Sequence, residues 1–112
     1  MHRVRVDTEP GVAVVSAEGE LDAYAAPELT ASFEDVARAE NVVADLARVS
    51  FMDSTALGLV VRAVRELGER GAAVRVVLPQ TSARRIFEIT MLDQVLPVAA
   101  SREDALAELS GQ

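Results

Sequence analysis

Residues 42–71 read VVADLARVSFMDSTALGLVVRAVRELGERG. With Asn41 before them, the first of these residues form the apolar run NVVADL, 41–46, short enough and continuous enough for a strand buried on both faces. Residues 54–70 then place Leu57, Val60, Val61, Val64 and Leu67 on one side of a helix that stops at Gly71. A second apolar run, 72–78, is opened by Gly71 and closed by Pro79, and supplies the next strand. Strand, helix and strand in this order make a parallel crossover unit. At its turn, after the apolar pair Phe51 and Met52, stands the polar cluster Asp53, Ser54 and Thr55.

The flanks extend the pattern. Residues 3–6 and 12–17 carry Val at alternate or adjacent positions around the turn signal EPG, which predicts a hairpin. Pro27 suits the first turn of a helix over 26–39 whose apolar positions are Leu29, Phe33, Val36 and Ala37. Residues 81–91 predict a third helix with Ile86, Phe87 and Ile89 inward, and 94–99 a short strand that Pro97 confines to an edge. A terminal helix over 101–109 begins with Ser101 and Asp104 in the spacing of a capping box. The sum is one α/β domain over 1–112. Its mixed sheet has about five strands, an N-terminal hairpin followed by parallel strands, with about four helices.

Composition narrows the function classes. The 112 residues suffice for one modest core, and no apolar run approaches the roughly 20 residues that span a bilayer. The N-terminal stretch MHRVRVDTEPG lacks the apolar segment of a secretory signal, so a cytoplasmic location is expected. There is no cysteine, hence no disulfide or thiol chemistry. A net charge of −7, with every cation an arginine, opposes binding to nucleic acid or anionic lipid. No metal-ligand spacing and no glycine-rich phosphate loop is present, so no cofactor or metal is expected.

In open α/β sheets, ligands and chemistry collect at the strand end where the polar cluster lies. Local pattern alone reads Asp53 or Ser54 as the cap of the following helix and nothing more. Asp22 and Tyr24 lie in the loop before the first helix and are candidate partner-binding residues, Asp22 to orient a neighbouring hydroxyl and Tyr24 as an interface aromatic, against the ordinary readings of a solvated carboxylate and a plain loop tyrosine. Asp45 reads as a strand terminus, Arg84 and Arg85 as a solvated helix face, and His2 has no catalytic partner. An enzyme built on Asp22, Asp53 and Ser54 is disfavoured, because no core His or Lys is available to activate the serine.

The stretch quoted above resembles the core of the STAS domains, specifically the bacterial anti-sigma factor antagonists. The resembling elements are Asp45 and Leu46 in the strand, then Phe51, Met52, Asp53, Ser54 and Thr55 ahead of the helix. Upstream, GELDAYAAPEL resembles the family's Gly-x-Leu-Asp segment through Gly19, Leu21 and Asp22. One departure is Ala56, where many members carry Gly, which implies a stiffer first turn with a methyl group near the site. The resemblance implies a non-enzymatic regulator whose unphosphorylated form binds an anti-sigma factor, often a serine kinase using ATP, and so releases a sigma factor. It implies Ser54 as the phosphorylation site, with Asp22 and Asp53 beside it. The runner-up is a non-switching STAS subunit of a signalling scaffold or a transport-associated complex. A monomer or weak dimer is expected.

Helix periodicity adds one more expectation. Leu59 falls on the charged side of the 54–70 helix, just over one turn from Ser54. Thr55, Gly58, Leu59 and Arg62 would thus form an exposed extension of the partner-binding surface.

Overall fold

The computed structural model describes residues 1–110. Five strands form one sheet in the order β1 (His2–Glu9), β2 (Val12–Leu21), β3 (Asn41–Met52), β4 (Ala73–Val77) and β5 (Val98–Ala99). β1 runs antiparallel to β2 and every later pairing is parallel, as the hairpin and crossover patterns require. Gly11, at φ +75°, makes the tight turn of the hairpin. Helices α1 (Ala26–Asp35), α2 (Ser54–Glu69) and α3 (Arg85–Ile89) cover one face, burying Leu29, Phe33, Leu57, Val60, Val64, Leu67 and Phe87. α4 (Arg102–Ser110) covers the other with Ala105 and Leu109 against Val12, Val14, Val43 and Val77.

β3 is twice as long as its apolar run predicts. It continues through residues 47–51 to Met52, and two register shifts against β2 explain why a period-two reading loses it. Ser16 pairs Asp45 while Glu18 pairs Arg48, and Gly19 pairs Val49 while Glu20 pairs Phe51, so β3 gains a residue at each step. The residues facing the three-helix side are therefore Val42, Ala44 and Leu46, then Val49, then Met52. Asp45 does not end the strand. Its Oδ1 accepts the Ala47 amide at 3.0 Å at the first shift, and its Oδ2 accepts Arg102 Nε at 2.9 Å, fastening α4 to the sheet.

Other boundaries also move. α1 ends at Asp35 instead of 39, and the hairpin strands extend to Glu9 and Leu21. The expected 81–91 helix is a 3-10 turn, Ser82–Arg84, followed by the five residues of α3. Met91, at φ +62°, stops it in the left-handed region. Phe87 is inward, but Ile89 is 71% exposed. Residues 92–94 form another 3-10 turn, so the last strand keeps only Val98 and Ala99, at the edge as Pro97 required. The Ser101 hydroxyl accepts the Asp104 amide at 3.0 Å, the forward half of the capping box.

Candidate functional site

Leu21 and Met52 are neighbours in the parallel β2/β3 ladder, so the residues that follow them, Asp22 and Asp53, leave the sheet side by side. Both apolar residues are buried and anchor the floor of the site. Gly19, the glycine of the Gly-x-Leu-Asp segment, sits at φ +82°, and a Cβ there would collide with the Met1 carbonyl. This glycine is demanded by the backbone that delivers Leu21 and Asp22.

Asp53 is the N-cap of α2, with extended backbone at φ −94° and ψ 177°. Its Oδ1 accepts the Ala56 amide at 2.9 Å and its Oδ2 accepts the Ala23 amide at 3.1 Å, while its own amide donates to the Leu21 carbonyl at 3.1 Å. One carboxylate thus closes the first turn of α2 and holds the loop between β2 and α1 against it. In that loop the Asp22 carboxylate accepts the Tyr24 amide at 3.0 Å and its carbonyl accepts the Ala25 amide, a side-chain turn that leaves the Tyr24 ring 87% exposed.

Since Asp53 is the cap, Ser54 is not. Ser54 and Thr55 occupy the first two helical positions, both exposed. With the Asp53 and Ala56 amides taken, the Ser54 and Thr55 amides are the ones left at this helix end, a favourable setting for an anion. Ala56 is fully buried among the core residues beneath the site. Its methyl group belongs to the core, on the side of the helix away from the exposed Ser54, and does not reach the surface of the site, contrary to what the resemblance implied.

Along α2, Ser54, Gly58 and Arg62 follow at spacings of four and form one exposed ridge. A Cβ built on Gly58 meets nothing, so the fold itself does not require glycine there. Leu59 corrects the helix-wheel expectation. It is half-buried and lines a groove between α1 and α2 with Thr30, Phe33, Glu34 and Arg62, because α1 leans over that side of the helix. On the opposite flank the sequence reading missed two exposed apolar side chains, Phe51 at 50% and Ile89 at 71% exposure, which line a shallow depression with Ile86 and Arg85. Phe51 was legible as a motif position, not as a surface residue. Arg84 lies 3.8 Å from Glu88 on α3, an ordinary exposed helix pair.

The model of the STAS domain family matches residues 3–105. The chain belongs to the STAS domain family. Over 82 residues, 71% of this STAS domain and 72% of the relative, it is 37% identical to the anti-sigma-B factor antagonist of Listeria monocytogenes. The crystal structure of an anti-sigma factor antagonist from Mycobacterium paratuberculosis superposes with a TM-score of 0.86 at 30% identity, covering 98% of this chain and 95% of that one. The phosphorylated form of the Bacillus cell fate determinant SpoIIAA shares the fold, with a TM-score of 0.73 at 23% identity over 95% of this chain and 98% of that one. Among the described residues of this STAS domain, no helix is long and apolar enough to cross a membrane.

Proposed function

We propose that this STAS domain is an anti-sigma factor antagonist that acts by binding, not by catalysis, and that phosphorylation of Ser54 switches the binding off. The observation that carries the reading is the division of labour at the start of α2. Asp53 does the capping, so the Ser54 hydroxyl is spared for chemistry at an exposed helix N-terminus. A phosphate there meets unpaired amides and the positive end of the helix dipole, and the fold tolerates it.

A docked partner does not tolerate it. Phosphorylation adds about 1.5 to 2 negative charges beside two carboxylates, Asp22 and Asp53, and burying them under a partner carries a desolvation cost. The partner in this reading is an anti-sigma factor that is also an ATP-binding serine kinase. Its docking surface comprises Asp22, Tyr24, Asp53, Ser54, Thr55, Gly58 and Arg62, with Leu59 at the groove and Phe51 and Ile89 on the other flank. The relatives' role as antagonists supports this assignment, as does the continuity of these residues around one strand end. The site of action is the cytoplasm, where sigma factors work.

Incubation with the cognate kinase and ATP, followed by mass spectrometric mapping, tests the switch. Phosphate on Ser54, absent from Ser54→Ala, is expected. Phosphate mainly on Thr55 or Thr30 overturns the assignment, and none at all favours the non-switching subunit.

A further inference from the structure

β1 is the terminal strand of the sheet, and among the described residues nothing pairs with its outer edge. Its ladder with β2 fixes which backbone groups point outward. The Met1 carbonyl accepts the Glu20 amide at 2.9 Å, and Glu9 faces Val12 across the two-residue turn. Odd-numbered residues of β1 therefore bond to β2, while His2, Val4, Val6 and Thr8 turn their N–H and C=O groups to the free edge. Val6 is 37% exposed there.

An open edge is commonly guarded by charged side chains, which oppose pairing with a second copy where like charges meet. The charges on β1 are arranged otherwise. Arg3, Arg5, Asp7 and Glu9 share one face and read plus, plus, minus, minus about Val6. We propose that β1 is a self-complementary edge through which two copies of this chain pair antiparallel about Val6, joining their sheets into one.

In this register Val6 faces Val6 and Val4 faces Thr8 as hydrogen-bonded pairs, using the backbone groups that point outward. Arg5 then faces Asp7 and Arg3 faces Glu9, each twice, as non-hydrogen-bonded pairs whose Cα atoms approach to about 4.5 Å and whose side chains lie closest. A shift of two residues either way sets Arg5 against Arg5 or Asp7 against Asp7. The registers allowed by the backbone thus differ in charge, and the one centred on Val6 is the fully matched one. α4 packs over β2 to β5 and reaches β1 through Arg102 at Asp7, while α1 packs against β1 on the opposite face. The two-fold axis stands perpendicular to the sheet, so the two Ser54 sites point to opposite ends of the dimer and both stay open. The pairing is independent of the proposed switch.

Asp7 already lies 3.4 Å from both Arg5 and Arg102 within the chain, so the test uses the outer pair. Arg3→Glu alone sets Glu against Glu9 twice, and Glu9→Arg alone sets Arg against Arg3 twice. Mixed together, the two variants are complementary at every position. Sedimentation equilibrium at low salt should show a concentration-dependent dimer for the unmodified chain that weakens as salt rises. Each variant alone should dimerise at least tenfold more weakly, and the equimolar mixture should recover. Val6→Pro removes an amide that points away from β2, so it should keep the hairpin and lose the dimer. An unmodified chain that stays monomeric into the millimolar range overturns the proposal. So do variants that dimerise unchanged, or a mixture that stays monomeric.

Discussion

Asp53 and Ala23, 30 positions apart, are joined by a hydrogen bond of 3.1 Å from the Ala23 amide to Asp53 Oδ2. Because the other oxygen caps α2, the loop carrying Asp22 and Tyr24 is tied to the helix that carries Ser54. Asp53→Ala should destabilise the domain by about 0.5–2 kcal/mol through the lost cap. It should also speed hydrogen exchange at the Ala23 amide and weaken partner binding, although Ser54 is untouched. Unchanged exchange at Ala23 would show that the loop is held by other contacts.

Gly58 separates the needs of the fold from those of the partner. Its site is open to a Cβ in mid-helix, so Gly58→Ala should stabilise the protein by about 0.5–1 kcal/mol. If the exposed ridge of α2 receives a close-packed partner, the same variant binds more weakly. Thermal melts and titrations of one sample read both effects, and a variant that is more stable and binds normally removes Gly58 from the docking surface.

Gly19 makes the opposite case. Positive φ and the nearby Met1 carbonyl both exclude a side chain, so Gly19→Ala should cost about 1–3 kcal/mol in denaturant unfolding. A cost near zero would mean that the N-terminal end of β1 moves aside freely.

Much of this architecture is legible in the residues. Hairpin, crossover helices and the parallel sheet follow from apolar spacing and turn residues, and the resemblance through Asp45, Phe51 and Asp53 to Thr55 located the candidate site. The extension of β3 was not legible, because two added residues turn an alternating pattern into the spacing Leu46, Val49, Met52 that no strand template matches. Leu59 and Ile89 were misplaced for a related reason. A helix wheel orders residues around one axis but does not know where α1 leans or that α3 ends after five residues. The assignment of the cap to Asp53 needed coordinates, since Ser54 is an equally good capping residue by type.

The cap assignment also sharpens what substitution of Ser54 should do. Ser54 makes no capping bond, so Ser54→Ala and Ser54→Asp should both melt close to the unmodified protein, and the alanine variant should keep its affinity for the anti-sigma factor. A melt shifted far downward in Ser54→Ala would assign the hydroxyl a structural role.

The most direct test of the switch is calorimetric titration of the anti-sigma factor with the unphosphorylated protein and with the same protein phosphorylated on Ser54. The account predicts at least a tenfold loss of affinity on phosphorylation, about 1.4 kcal/mol, with the fold unchanged by circular dichroism. Equal affinity of the two forms would contradict it and place Ser54 outside the interface.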